Sequence, residues 1–442
     1  FGRHRLAFSL LPIFIAFGIF TIVTPRATSA QAITCVTVSG GDWEVASNWE
    51  EADTNGDPTG SPCTDPGSGS NDWPDASDQD AIIDGGLNID IDPATSGDLE
   101  VGDITVGVAR LRAEDTGAFN GTDERLLKAQ SITLGPEGNE SVSELNLARG
   151  TGILNLEVKE NFSQNGTSFN TTSSDGTAEV TFNGGGNQTV SGDVFTTNTF
   201  STVRIEANSG GTSSDVTFSD QTSFGELIID GGSSATLQGT GTLSVSTAGN
   251  NNVSVNDGTL TSGALGIAGN LSISTGSQVV HNSGRLNVKG DFSNDGSFTA
   301  ASGTELGLNP VSGSTANVST STSISVERLV VNVDGDAGTV DLQDDLTLNG
   351  DVTVDNPITL TVSNGSITSS GGVLNFEGGN QTISAAGRSI APVSVGNSST
   401  VEVTGISSAG QALTINGDLS ITSGSFNLGG ISNSNVIVTG SV

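Results

Sequence analysis

The sequence predicts an all-β chain: a parallel β-helix (β-solenoid) of about 20-residue coils, closed at its N-terminal end by a tryptophan and disulfide cap. Three observations carry that expectation. Only 33% of the 442 residues are hydrophobic and 14% are charged, while glycine supplies 61. That is too little apolar material for a thick globular core, yet too regularly strand-patterned for disorder. Next, short alternating runs such as "DITVG", "VRIEA", "ELIID" and "TLSVS" are separated by Gly, Asn, Asp and Ser. This is the period of strands, and no helical period follows residue 32. Lastly, one motif recurs: "LGIAGNLSI" from Leu265, "LNVKGDFSN" from Leu286, "LTLNGDVTV" from Leu346, "LTINGDLSI" from Leu413 and a degenerate "LEVKENFSQ" from Leu156. Its form is apolar-x-apolar-x-Gly-[Asn/Asp]-apolar. Leu265 and Leu286 are 21 positions apart, and Leu286 and Leu346 are 60 apart, close to three such steps. The next interval, 67, fits that step less well. Tandem β-sandwich domains are the alternative architecture.

The first element is expected to be a cleaved export signal over residues 1–32, with a retained membrane anchor as the alternative. Arg3, His4 and Arg5 precede an apolar run from Leu6 to Val23, broken by Pro12, and "ATSAQA" offers small residues in cleavage spacing. Loss of Arg3, Arg5 and Arg26 takes the formal charge from −35 to −38. The mature chain is expected to have no membrane span. Residues 33–98 form the cap. They hold all three tryptophans, both cysteines and five of the eleven prolines. A Cys35–Cys63 disulfide is expected, because exported compartments oxidise thiol pairs and no CxxC metal spacing is present. Residues 99–442 form the repetitive β-helix, in blocks of about 99–260 and 261–442.

The repeats could instead be hairpins, since Asn416-Gly417 is a good two-residue hairpin turn. With that turn Ile415 faces Asp418 and Leu413 faces Ser420, so the apolar faces disagree. A three-residue corner at 416–418 puts Leu413, Ile415, Leu419 and Ile421 on one side. A coil corner does this, and so does a three-residue hairpin loop. A second recurring stretch is "FNGGGNQTVSG" at 182–192, echoed by "FEGGNQTISAA" at 376–386. Its glycines allow a tight corner, and its Asn and Gln can cap loose backbone groups. The echo changes Asn183 to Glu377 and drops a glycine, which a catalytic loop would hardly tolerate, so the stretch reads as a scaffold corner opening each repeat block.

"GDWEVASNWEE…PDASDQDAIIDGGLNIDID…LEVGDITVG", followed by the two Gly-Gly-Asn-Gln-Thr stretches, resembles a large group of exported, repeat-rich bacterial surface proteins best known from Bacteroidota. The resemblance spans most of residues 40–442. It implies secretion, a repetitive β architecture and a surface or matrix role.

Charge and composition bound the chemistry. A net charge of −35 excludes binding to polyanionic nucleic acid. Beyond the signal the one histidine is His281, expected at the surface or a corner, with no G-x-S-x-G elbow to make a triad. Asp344-Asp345 is the one adjacent Asp-Asp pair from about residue 99 onward, and a corner position is its natural reading. A weak calcium candidate is "DTNGD", where Asp53, Asn55 and Asp57 alternate as in an EF-hand start, although Pro58 and Thr64 replace the expected Gly and Glu. The stretch Asp334, Asp336, Asp341, Asp344 and Asp345 is weaker still. No other cofactor is implied. The expectation is a non-enzymatic extracellular or cell-surface structural protein, a rigid rod that assembles with itself or with other matrix components. A glycan-binding adhesin and a carbohydrate-active β-helix enzyme are the alternatives.

Overall fold

The computed structural model describes residues 33–63, 73–95, 97–114, 124–135, 144–150, 152–164, 168–170, 177–192, 200–219, 223–238, 243–245, 251–321, 324–326, 328–331, 338–348, 350–355, 358–369, 371–406, 411–428 and 436–442. The expected signal segment lies outside them. Among the described residues no helix is long and apolar enough to cross a membrane.

The chain winds as a parallel β-solenoid with coils of roughly 23 residues. One coil shows the plan. Gln278–His281 lies on face A, Arg285–Val288 on face B and Phe292–Asn294 on face C, and Ser297–Ala300 returns to face A. Each strand pairs in parallel with its counterpart one coil later: Val279 with Phe298, Leu286 with Leu306, and Phe292 with Val318. Short strands suffice because each has a partner both above and below.

Alternation does the rest. Every second residue points inward, so a strand of three buries two apolar side chains, as in Leu271–Ile273 and Val393–Val395. Stacked coils align these into columns. On face B, Leu265, Leu286, Leu306, Leu329, Val352, Leu374, Val393 and Leu419 register in sequence. Steps within that column range from 19 to 26 positions, so the 20-residue period belongs to the tightest coils, and extra residues elsewhere are taken up at corners. Phenylalanines fill part of the core, with edge-on contacts between Phe182 and Phe218 at 6.1 Å and between Phe218 and Phe224 at 5.2 Å.

The recurring motif is a corner module. Its Gly-Asx pair sits between two faces and the flanking apolar residues enter the core, except Ile421, which was expected on the inward side and is 45% exposed. Leu413 and Ile415 are fully buried and Leu419 nearly so. Leu413 pairs in parallel with Val436 rather than folding back on Leu419, so this is a coil corner and not a hairpin. The copies occupy different corners. Those from Leu265 and Leu286 turn from face B to face C, those from Leu346 and Leu413 turn from A to B, and that from Leu156 turns from C to A. The spacing is corrected accordingly. The interval of 67 is three whole coils from Leu346 through Ile367 and Ser389 to the Leu413 strand. The interval of 60 is two coils and two faces.

The N-terminal end is closed by an antiparallel extension of face A. Ile33–Thr37 pairs in parallel with Gln79–Ile83 on one side and antiparallel with Trp49–Ala52 on the other, and Trp49–Ala52 pairs with Pro58–Pro62. The strands at 79–83 and 88–91 already belong to the parallel ladders of faces A and B. Trp43 and Trp49 are buried edge-on at 4.8 Å. Their ring N–H groups donate to the carbonyls of Pro74 (2.9 Å) and Trp43 (2.8 Å). Trp73 packs against the same core, and the Cys35–Cys63 disulfide ties the first strand to the end of the hairpin.

Replacing both cysteines with serine is expected to lower stability by about 3.5 kcal/mol, the chain-entropy value for a loop of this size. A shift in the urea midpoint reads it, with the change confined to an early, N-terminal unfolding step.

Candidate functional site

Among the described residues, many of the polar side chains singled out in the sequence join one coil to the next. The Asx of the corner module accepts a backbone N–H from the following coil: Asn270 Oδ1 from Asp291 (2.7 Å), Asp291 Oδ1 from Asn317 (2.7 Å), Asp351 Oδ1 from Val373 (3.0 Å) and Asp418 Oδ1 from Ser441 (2.7 Å). Asn161, in the degenerate copy, does the same for Thr189 at 2.9 Å. Corner backbones turn away from the strand ladder, so these side chains satisfy donors that would otherwise be unpaired.

The two Asn-Gln-Thr stretches are also corners, and not equivalent ones. The first leads from face C at Glu179–Phe182 to face A at Asn187–Gly192. The second leads from face B at Leu374–Glu377 to face C at Asn380–Ser384. In both, the glutamine is the buried member, with Gln188 2% and Gln381 1% exposed. Gln188 donates to the carbonyls of Val158 (3.0 Å) and Glu160 (2.9 Å) in the preceding coil and accepts from the Gly184 N–H (3.2 Å). Gln381 donates to Glu377 (3.0 Å) and Gly378 (2.6 Å) within its own corner. A Cβ at Gly184 would run into the Lys159 carbonyl, whereas Gly186 faces open space.

Asp344 and Asp345 diverge rather than cooperate. Asp344 Oδ2 accepts from Thr320 N–H (2.8 Å), while Asp345 Oδ1 accepts from the Ser366 N–H and hydroxyl (both 2.8 Å). One carboxylate reaches the preceding coil and the other the following one. Asp341 accepts from Ser363 N–H (3.3 Å), and Asp334 and Asp336 lie outside the described residues.

The sequence "DTNGD" is the tip of the N-terminal hairpin. Asp53 Oδ1 accepts the N–H groups of Asn55 (2.8 Å) and Asp57 (3.0 Å), which hold its carboxyl below the usual aspartate value. Asn55 and Asp57 are exposed. Among the described residues no group of three His, Cys, Asp or Glu side chains is placed to hold a metal ion.

His281 is not at the surface. It is fully buried, on the inner side of face A beside a corner, with Nε2 3.1 Å from the Gly284 carbonyl and Nδ1 3.4 Å from Ser262 Oγ. The neutral ring with Nε2 protonated satisfies both. Burial lowers its pKa, opposed by hydrogen bonds to Gly284, Gly263 and Ser262.

Ion pairs run up the outside of faces B and C. Arg112 binds Asp90 through two nitrogens (2.9 and 3.0 Å), Arg204 joins Glu179 (2.9 Å) to Asp230 (3.3 Å), and Arg285 and Arg328 both hold Glu305. Lys128 reaches Asp98 at 2.7 Å and Lys159 reaches Glu100 at 3.5 Å. Arg125, 4% exposed, clamps Glu44 of the cap at 2.7 Å. The periodic pattern of the sequence did not announce these pairs, because partners lie a coil apart. A shallow, open groove of about 520 Å³ on face B is lined by Thr304, Arg328, Asp351, Thr353, Asn375 and Glu377.

No protein-family model, curated protein or solved structure matches the chain. The solenoid rests on its own geometry, and no homologue lends it a role.

Two outcomes follow for the corner and the core. Gly184→Ala is expected to cost more than about 2 kcal/mol and Gly186→Ala less than about 0.5 kcal/mol, read as urea midpoints of the two variants. Because burial depresses the folded pKa of His281 below its unfolded value, the unfolded chain takes up the proton first. Stability therefore falls as pH drops below about 6.5, by at most about 1.4 kcal/mol per pH unit. His281→Asn should flatten the dependence of the unfolding midpoint between about pH 6.5 and 5.

Proposed function

We propose that the protein is a non-enzymatic, extracellular structural element, a stiff β-rod of a surface or matrix layer. The observation that carries this reading is the use made of its polar residues. His281, Asp344, Asp345, Gln188, Gln381 and the motif's Asn and Asp side chains are engaged in closing corners and joining coils. The buried disulfide at the capped end suits an oxidising compartment, and the resemblance to exported surface proteins points the same way. Partners in this reading are other copies of the chain or further matrix components.

The capped end constrains how such rods associate. The outermost strand of face A, Pro58–Pro62, is exposed throughout and carries proline at both ends. Proline has no N–H to donate, so this edge resists strand addition. Association is therefore assigned to the sides of the rod.

Negative-stain images of the purified, oxidised chain across a concentration series test the assembly. Laterally associated filaments or sheets at high concentration are expected. Single short rods at every concentration would remove assembly from the proposal.

A further inference from the structure

The middle of face A carries a long, nearly uncharged run of hydroxyl side chains; face C has a related one at Thr315, Thr339, Thr359 and Thr382, interrupted by Asp341 and Glu402. Between Asn187 and Ala300 the face A strands stack without a register shift over six consecutive coils. Two outward ranks result. One is Thr189, Thr217, Thr236, Thr261, Val280 and Thr299, and the other is Asn187, Asp215, Ser234, Thr259, Gln278 and Ser297. All are exposed or half-exposed. In a protein of net charge −35 this strip holds one charged residue, Asp215, whose carboxylate accepts the Ser234 hydroxyl at 2.6 Å. The ion pairs among the described residues lie on faces B and C or at the cap. The strip is thus an array of hydroxyls, amides and methyls with one carboxylate among twelve outward residues, on a very acidic chain.

The array is periodic in two directions. Strand stacking sets about 4.8 Å between members of a rank, and two residues along a strand set about 6.7 Å between ranks. Threonine is stiff at χ1, so hydroxyl and methyl are held in repeated positions rather than averaged over rotamers. Parallel pairing on both sides holds each strand, so little ordering is left for a binding event. A neutral partner with a repeating oxygen lattice matches this surface, whereas an ionic partner finds only the Asp215 carboxylate to meet.

We propose that face A between Asn187 and Thr299 binds an ordered water lattice, the surface of ice. The oxygen repeats of hexagonal ice are comparable to the two spacings of the ranks. Threonine hydroxyls take lattice positions, and methyls, with Val280, occupy the gaps between them. Charged side chains orient water radially around themselves and break such a lattice, so their near absence here matters as much as the threonines. The proposal does not depend on assembly into a matrix, because a single rod presents the whole strip.

The test uses the full, oxidised chain. Thermal hysteresis and uptake into a slowly growing ice hemisphere are measured for the wild type, for Thr217→Lys/Thr236→Lys/Thr261→Lys, and for Ser254→Lys/Ser272→Lys/Ser293→Lys on face C. Unfolding midpoints verify that all three are folded. Wild type and the face C variant are expected to shape ice and to enter it, and the face A variant to lose both. Exclusion of the folded wild type from ice overturns the proposal, as does equal behaviour of the two variants. Sedimentation with insoluble cellulose or chitin completes the set. Capture there through the threonine ranks, without ice uptake, reassigns the strip to a crystalline polysaccharide and likewise overturns it.

Discussion

The constraint on which the structure depends is the backbone ladder between coils. Each strand must meet its counterpart one coil away in register, because a slip of one residue turns every inward side chain outward. Leu286 over Leu265 and Leu306 over Leu286 are held to that condition by the hydrogen bonds of their neighbours. The three faces must therefore keep their strand positions from coil to coil, and only corners are free to vary in length. Coil size consequently varies while the columns do not.

Corners carry the cost of this arrangement. Backbone groups that leave the ladder need other partners, and the chain supplies them with short polar side chains and glycines. Asn270, Asp291, Asp351 and Asp418 each accept a donor one coil on, and Gln188 closes a corner from inside. The same stacking brings like charges close. Asp80 and Asp103 lie in successive coils, with burial and then the neighbouring carboxylate raising the pKa of Asp80 against its hydrogen bond from Asp103 N–H. Arginine and lysine are placed where such stacking would be worst, as between Glu179 and Asp230. Exposed pairs of this kind contribute about 0–1 kcal/mol each, so their role is to offset repulsion in a very acidic chain rather than to supply its stability.

Much of this was legible in the sequence because its physics is local. Alternation in "VRIEA", the Gly-Asx pair and the inward set Leu413, Ile415 and Leu419 identify strands, corners and a coil. The identity of the corner was not legible. All three corners pose one local problem, so the motif recurs at any of them, and the interval of 60 between Leu286 and Leu346 looked like whole steps when it was not. The Asn-Gln-Thr echo misled in the same way: Gln188 and Gln381 solve similar corners on different edges. His281 was hidden for another reason. Its burial depends on Ser262 and Gly284, which only the coil places beside it.

A solenoid of this construction has little freedom left to encode a role. Its interior is filled by aliphatic columns, its corners are occupied by the hydrogen bonds that make them, and its N-terminal edge carries prolines against strand addition. What can vary without disturbing the ladder is the outward residue of each strand. Faces B and C place arginines and carboxylates at several of these positions, as at Arg204 and Glu305, and serine or threonine at others, as at Ser254, Ser272, Thr339 and Thr359. The middle of face A places threonine at five of six positions in one rank and a single charge among twelve outward residues. The fold does not require that difference, since alternating serine, asparagine or ion pairs would satisfy an exposed parallel strand equally well. Threonine itself is favoured on any exposed strand; what the ladder does not impose is the near absence of charge along six coils of so acidic a chain, and the ice proposal rests on that.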